Sequence, residues 1–172
     1  MLELFKVFWD IALWRRGPRD VPASGVLLAL LAVAYATVSA LQAWMVDGPE
    51  QAWLRAFADL GFTALVFYVV LAIGRRTNRY LQTLCAVLGT SLLLSLPLLA
   101  LLAVGGTTGG GPVETLLALA TLPLLVWYLF VIGHVVRQAL DGPLLLGMAV
   151  SMTYFLLSYA VLEQFSPAGG GG

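Results

Sequence analysis

Residues 80–113 read YLQTLCAVLGTSLLLSLPLLALLAVGGTTGGGPV and contain no charged side chain. One crossing of a hydrocarbon core takes about 20 apolar helical residues, so this run is too long for a single span. Its leucines show no alternation of period two, which argues against the strands of a membrane barrel. The run breaks at Gly105-Gly106-Thr107-Thr108-Gly109-Gly110-Gly111-Pro112. One span is therefore predicted over 80–104, and another starts at 113.

The same logic carries to both sides. Predominantly apolar stretches predict five spans at about 21–46, 52–74, 80–104, 113–136 and 143–162. The fold class is thus all-α, a polytopic transmembrane helical bundle. Composition agrees: 10% of the 172 residues are charged and 60% are hydrophobic, against about 25% charged in a soluble domain. So few charges cannot cover a globule of this size, and lipid must solvate much of the surface. The formal net charge is zero, which speaks against a nucleic-acid partner. The lone Cys85 excludes an intrachain disulfide.

Boundary residues supply further expectations. Asp47-Gly48-Pro49-Glu50 reads as an acidic N-cap with proline in the first turn, and Asp141-Gly142-Pro143 reads the same way. At Gly74 the apolar run meets Arg75-Arg76, cations suited to a helix C-terminus. The tail 166–172, Ser-Pro-Ala and four glycines, has nothing to bury and is expected to be disordered.

The cations orient the chain. Lys6, Arg15, Arg16 and Arg19 precede the first span, Arg75, Arg76 and Arg79 follow the second, and Arg137 follows the fourth. These alternate segments share one side and hold eight of the nine Lys and Arg residues. The opposite side keeps Arg55 with Asp47, Glu50, Glu114 and Glu163. By the positive-inside rule the N-terminus is cytoplasmic and the C-terminus outside the cell inner membrane. An odd number of spans is required, and five satisfies it.

Residues 1–20 form a distinct head. Glu3, Lys6 and Asp10 recur at spacings of three and four and make one narrow polar stripe on an otherwise apolar helix. They also interrupt any signal-peptide core, so the segment is expected to stay in the mature protein. Fourteen helical residues reach about 21 Å, short of a ~30 Å hydrocarbon core. An interfacial amphipathic helix follows, with Trp9 and Trp14 at headgroup depth and Arg15, Arg16 and Arg19 beside anionic lipid. Packing across the mouth of the bundle is the alternative, compatible with the first.

Few residues offer chemistry. His134, three residues before Arg137, has no second histidine or Cys/Asp/Glu cluster near it in sequence, so an interfacial role outweighs a metal or proton-shuttle role. Asp59 inside the second span is costly in lipid and invites a functional reading, a cation or proton site. Arg55, one turn away on the same face, offers an ion pair as the plainer account. The glycine-rich segment lacks the spacing and lysine of a phosphate loop and reads as a flexible connector. Pro97 and Pro123 fall inside spans, each two residues after a hydroxyl, Ser95 and Thr121. They kink their helices, which serves packing more often than transport. Cys85 reads as a small apolar filler. Gly61, Ala64, Ser151 and Ser158 read as helix-contact positions. No cofactor site, metal site or acid–base pair of an enzyme emerges.

The layout also carries a resemblance. RRGPRDVPAS leads into the first span, and RYLQTLCAVLGTSLLLSLPLL opens the third after a basic turn. LLVWYLFVIGHVVRQALDGPLLLGMAV follows the glycine-rich segment. Across roughly its whole length the chain resembles the bacterial branch of the Yip1-like five-span membrane proteins. It lacks the long cytoplasmic N-terminal region of the eukaryotic members. The resemblance implies a non-enzymatic scaffold or accessory subunit that acts through lipid, other membrane proteins or self-association. Its contact surfaces would be the head, Arg75 to Arg79 and the Arg137 turn. The alternative is a small transporter or channel-like subunit built on Asp59 and the proline-broken helices.

Overall fold

The computed structural model describes residues 2–105 and 112–164. The expectations for residues 106–111 of the glycine-rich segment and for the tail 166–172 lie outside the described residues. Six α-helices account for nearly everything else: α1 (Leu2–Ala12), α2 (Gly25–Asp47), α3 (Ala52–Ile73), α4 (Tyr80–Gly105), α5 (Pro112–Leu140) and α6 (Leu144–Glu163). Helices α2 to α6 are long and apolar enough to cross a membrane. Among the described residues there is no strand.

The ends of these helices follow local chemistry, not always as the sequence suggests. Pro22 holds the chain extended before α2, and Ser24 caps it, its Oγ accepting the Leu27 N–H at 3.3 Å. Neither acidic residue is an N-cap. Asp47 is the last residue of α2, Gly48 at φ 90° ends that helix, and α3 starts at Ala52 behind Gln51. Asp141 takes a left-handed φ of 56° and sends its carboxylate to arginines instead, while Pro143 stands at the N-cap of α6. Helix α5 runs on to Leu140, since nothing in its sequence breaks it before Gly142-Pro143.

The five long helices close into a ring. Helix α2 packs on α3 and α4, α4 on α5, α5 on α6, and α6 on α3. The tightest approach joins α5 to α6: a Cβ on Gly147 would stand 2.1 Å from the Gly133 carbonyl oxygen, so the two backbones nearly touch. Ser151 fastens the same seam by donating to the Leu129 carbonyl at 2.7 Å. Gly61, expected at a contact, faces open space instead.

One half of the ring is filled. Phe67, Cys85, Ala86, Val87, Ile132, Val135, Val136 and Tyr154 pack there together with Val7, Phe8 and Ile11 of α1. The head is therefore part of the bundle. Phe8 lies on Gly89, whose missing side chain makes room for the ring, and Ala12 meets Leu94 and Val131. The Trp127 indole N–H donates to the Ala12 carbonyl at 3.0 Å. Phe5, Trp9, Leu13 and Trp14 stay exposed on the other faces. Bundle packing and exposed apolar side chains thus coexist on one short segment.

Candidate functional site: a carboxylate in the bundle cavity

The other half of the ring is hollow. A cavity of about 380 Å³ is walled by all five long helices: Tyr35, Ser39 and Gln42 of α2, Asp59 of α3, Ser91 and Ser95 of α4, Thr121 and Tyr128 of α5, and Phe155 of α6. Val38, Leu94, Leu98, Leu124 and Leu125 complete it, so polar groups are set into an apolar lining. A second cavity of about 340 Å³ adjoins it and shares Ser39, Gln42, Asp59 and Leu98. Its other walls include Val46, Arg55, Leu102 and Leu162, all near the helix ends opposite the arginine-rich loops. Asp59 stands where the two meet.

The Asp59 carboxylate is held from two neighbouring helices. Tyr35 Oη donates to Oδ2 at 2.5 Å, and Ser158 Oγ donates to Oδ1 at 3.3 Å. Both partners are neutral hydroxyls. The ion pair expected between Asp59 and Arg55 is therefore replaced by two hydroxyl–carboxylate bonds, and Arg55 lines the adjoining cavity one turn nearer the helix end. Asp59 lies about 10 Å along α3 at 1.5 Å per residue and is half-buried.

Both prolines lie beside this cavity. Pro97 and Pro123 are inside α4 and α5, and Ser95 and Thr121, two residues earlier, face the hollow. Proline lacks the N–H that would close the helix turn. Ser95 Oγ donates to the Leu92 carbonyl at 2.7 Å, and Gln42 Nε2 reaches across from α2 to the Ser95 carbonyl at 3.2 Å. The Ser95 hydroxyl and the Gln42 amide thus bond carbonyls of α4 beside Pro97, and Thr121 lines the hollow near Pro123.

His134 has a structural task. Its Nε2 lies 3.0 Å from the Arg16 carbonyl oxygen and 2.8 Å from Gln138 Nε2, and the first contact ties the head to α5. Gln138 and the Trp14 ring flank it. Among the described residues no group of three or more His, Cys, Asp and Glu side chains converges as a metal site.

The arginine-rich segments meet at one end, as their alternation requires. Asp141 pairs with Arg19, with Arg76 at 3.2 Å and with Arg79 at 2.9 Å, and so ties its own turn to two chain segments that are distant in sequence. Arg79 also donates to the Ala139 carbonyl at 3.1 Å. Arg16 pairs with Asp10 within the head, while Arg15, Arg75 and Arg137 are exposed. Partial desolvation pushes the Asp141 carboxyl up, but the Arg79 hydrogen bond and the charges of Arg19, Arg79 and Arg76 outweigh it and hold it below the ordinary value. A carboxyl lowered in the folded state stabilises above its unfolded pKa of about 3.9, and that contribution is lost as pH falls through the lower folded value. Below about pH 4 the melting temperatures of wild type and Asp141→Asn are therefore expected to converge. A gap between them that persists in thermal melts down to pH 2 contradicts the clasp.

Compared with protein-family models, with curated proteins and with solved structures, the chain matches none. Its class is defined by its own architecture: a multi-pass α-helical membrane protein. Within that class it packs five long helices around a partly open cavity lined, among the described residues, by one carboxylate.

Proposed function

We propose that this chain binds a small solute within the membrane, as a small transporter or channel-like subunit, and that it is not an enzyme. The observation that carries this reading is the Asp59 carboxylate, held by hydroxyls in a cavity that continues toward one end of the bundle. Burying a carboxylate in a membrane helix costs several kcal/mol, and a scaffold needs neither the charge nor the hollow. The cavity volume also falls within the range of small-molecule sites, about 300–1,000 Å³. In the proposed setting, the cell inner membrane, the arginine-rich end faces the cytoplasm and the second cavity opens outward.

A scaffold role of the Yip1-like kind is the second reading. It draws on the arginine-rich end, where exposed Arg15, Arg75 and Arg137 share one end of the bundle with exposed Trp9 and Trp14. Lipid headgroups or another membrane protein would meet that surface.

Thiol accessibility tests the solute reading without knowledge of the solute. In a Cys85→Ala background, Ser39→Cys and Ser91→Cys are expected to react with a small hydrophilic thiol reagent added from the C-terminal side. Thr63→Cys, in the filled half, is expected to stay unreactive. Protection of all three positions removes a water-reachable cavity, and the reading with it. In proteoliposomes, Asp59→Asn is expected to abolish any flux that the wild type supports.

A further inference from the structure

We infer that the ligand of this cavity is a monovalent amphipathic cation, a protonated amine on a small apolar or aromatic body. The inference rests on the solute-binding reading above and names its chemistry. The site holds one carboxylate whose observed hydrogen-bond donors are both neutral. Once ionised, a carboxyl in this largely apolar setting calls for one positive charge, and a second one would be left unpaired. Divalent metal ions need several carboxylate or carbonyl oxygens converging on one point, and no group of three acidic or imidazole ligands exists among the described residues. An anion would meet like-charge repulsion from an ionised acid in this position.

The remaining walls describe the body of the ligand. Ser39, Ser91, Ser95 and Thr121 place hydroxyls around the hollow, and each accepts as well as donates. They suit the N–H groups of an ammonium that reaches Asp59. Leucines and Phe155 line the rest, and the Tyr35 and Tyr128 rings offer π-faces that attract a cation. A strongly hydrated small ion would leave this apolar lining unused. A carbon skeleton carrying one ammonium fills both parts of the cavity.

Titration calorimetry on the full chain in nanodiscs tests this, with empty nanodiscs subtracted for partitioning into lipid. The probe is phenethylammonium, with 2-phenylethanol as neutral counterpart and 3-phenylpropionate as anion. The cation is expected to bind, the alcohol and the carboxylate to bind at least on the order of tenfold more weakly, and Asp59→Asn to lose affinity on the order of ten- to a hundredfold. Asp59→Glu, which keeps the charge, is expected to retain part of the affinity and guards against a simple folding defect. Equal binding of alcohol and cation, indifferent to Asp59→Asn, overturns the cation while leaving a solute cavity in place. No binding of the cation, with Ser39→Cys and Ser91→Cys reactive, also overturns the ligand class alone. No binding with those cysteines protected overturns the cavity reading itself.

Discussion

Gly147→Ala is expected to destabilise the protein by about 3 kcal/mol, the upper end of ordinary overpacking costs. The added methyl carbon would stand 2.1 Å from the Gly133 carbonyl oxygen and 3.0 Å from its carbon. Backbone atoms of a helix cannot swing aside as a side-chain tip can. Helices α5 and α6 must separate, and the Ser151 bond to the Leu129 carbonyl across the same seam lengthens with them. Gly61→Ala is the matched control, because a Cβ there meets nothing within 4 Å. That control is expected to be neutral or to gain up to about 1 kcal/mol from helix propensity. Thermal unfolding in detergent, followed by circular dichroism, measures both. Equal melting temperatures for the two variants would show that α5 and α6 do not meet as described.

The second large effect concerns the head. Ile11 is fully buried among Val7, Phe8 and residues of α4 and α5. An aspartate there loses the burial of a large aliphatic chain and places a carboxyl among apolar side chains, at a cost of about 4 kcal/mol or more. The five spans are held by their own insertion into lipid, so the cheapest response is release of α1. Phe8 then leaves Gly89, and the Trp127 N–H loses the Ala12 carbonyl. In the Cys85→Ala background, Ala12→Cys is expected to be protected from thiol reagents with Ile11 present and labelled with Ile11→Asp. Leu13→Asp changes an exposed position and is expected to leave protection intact. An unreactive Ala12→Cys in the Ile11→Asp protein would mean that the head stays bound without its anchor.

Release of the head bears on the cavity. Leu94, which Ala12 touches, also lines the hollow, and Tyr128 borders both. The head thus backs the cavity wall from the arginine-rich side. Loss of that backing is expected to change ligand affinity even though no head residue lines the site.

Much of the bundle was legible beforehand. Spans read as 21–46, 52–74 and 80–104 appear as Gly25–Asp47, Ala52–Ile73 and Tyr80–Gly105, because uninterrupted apolar runs of this length have few other ways to satisfy their backbone polar groups in lipid. Asp59 was legible as a site candidate for the same reason: a charge inside such a run is rare and costly. Its partners were not. Tyr35 and Ser158 lie 24 and 99 residues away, and nothing in their local sequence distinguishes them from other hydroxyls in the spans. Arg55 looked the natural partner because helical spacing is visible in sequence and neighbouring helices are not. The same blindness made Gly61 look like a contact and hid Gly89, Gly133 and Gly147.

The amino-acid order alone determined the number of spans, their approximate extents and the gathering of arginines at one end, since each of these depends on hydrophobicity and charge summed along the chain. Tertiary structure decided the closed ring, the hollow half, the seating of the head on Gly89 and the three-arginine clasp on Asp141. Those features depend on which small residue faces which backbone, and on which hydroxyl meets which carboxylate across helices. Contacts of that range, between positions scores of residues apart, leave no periodic trace in any one segment.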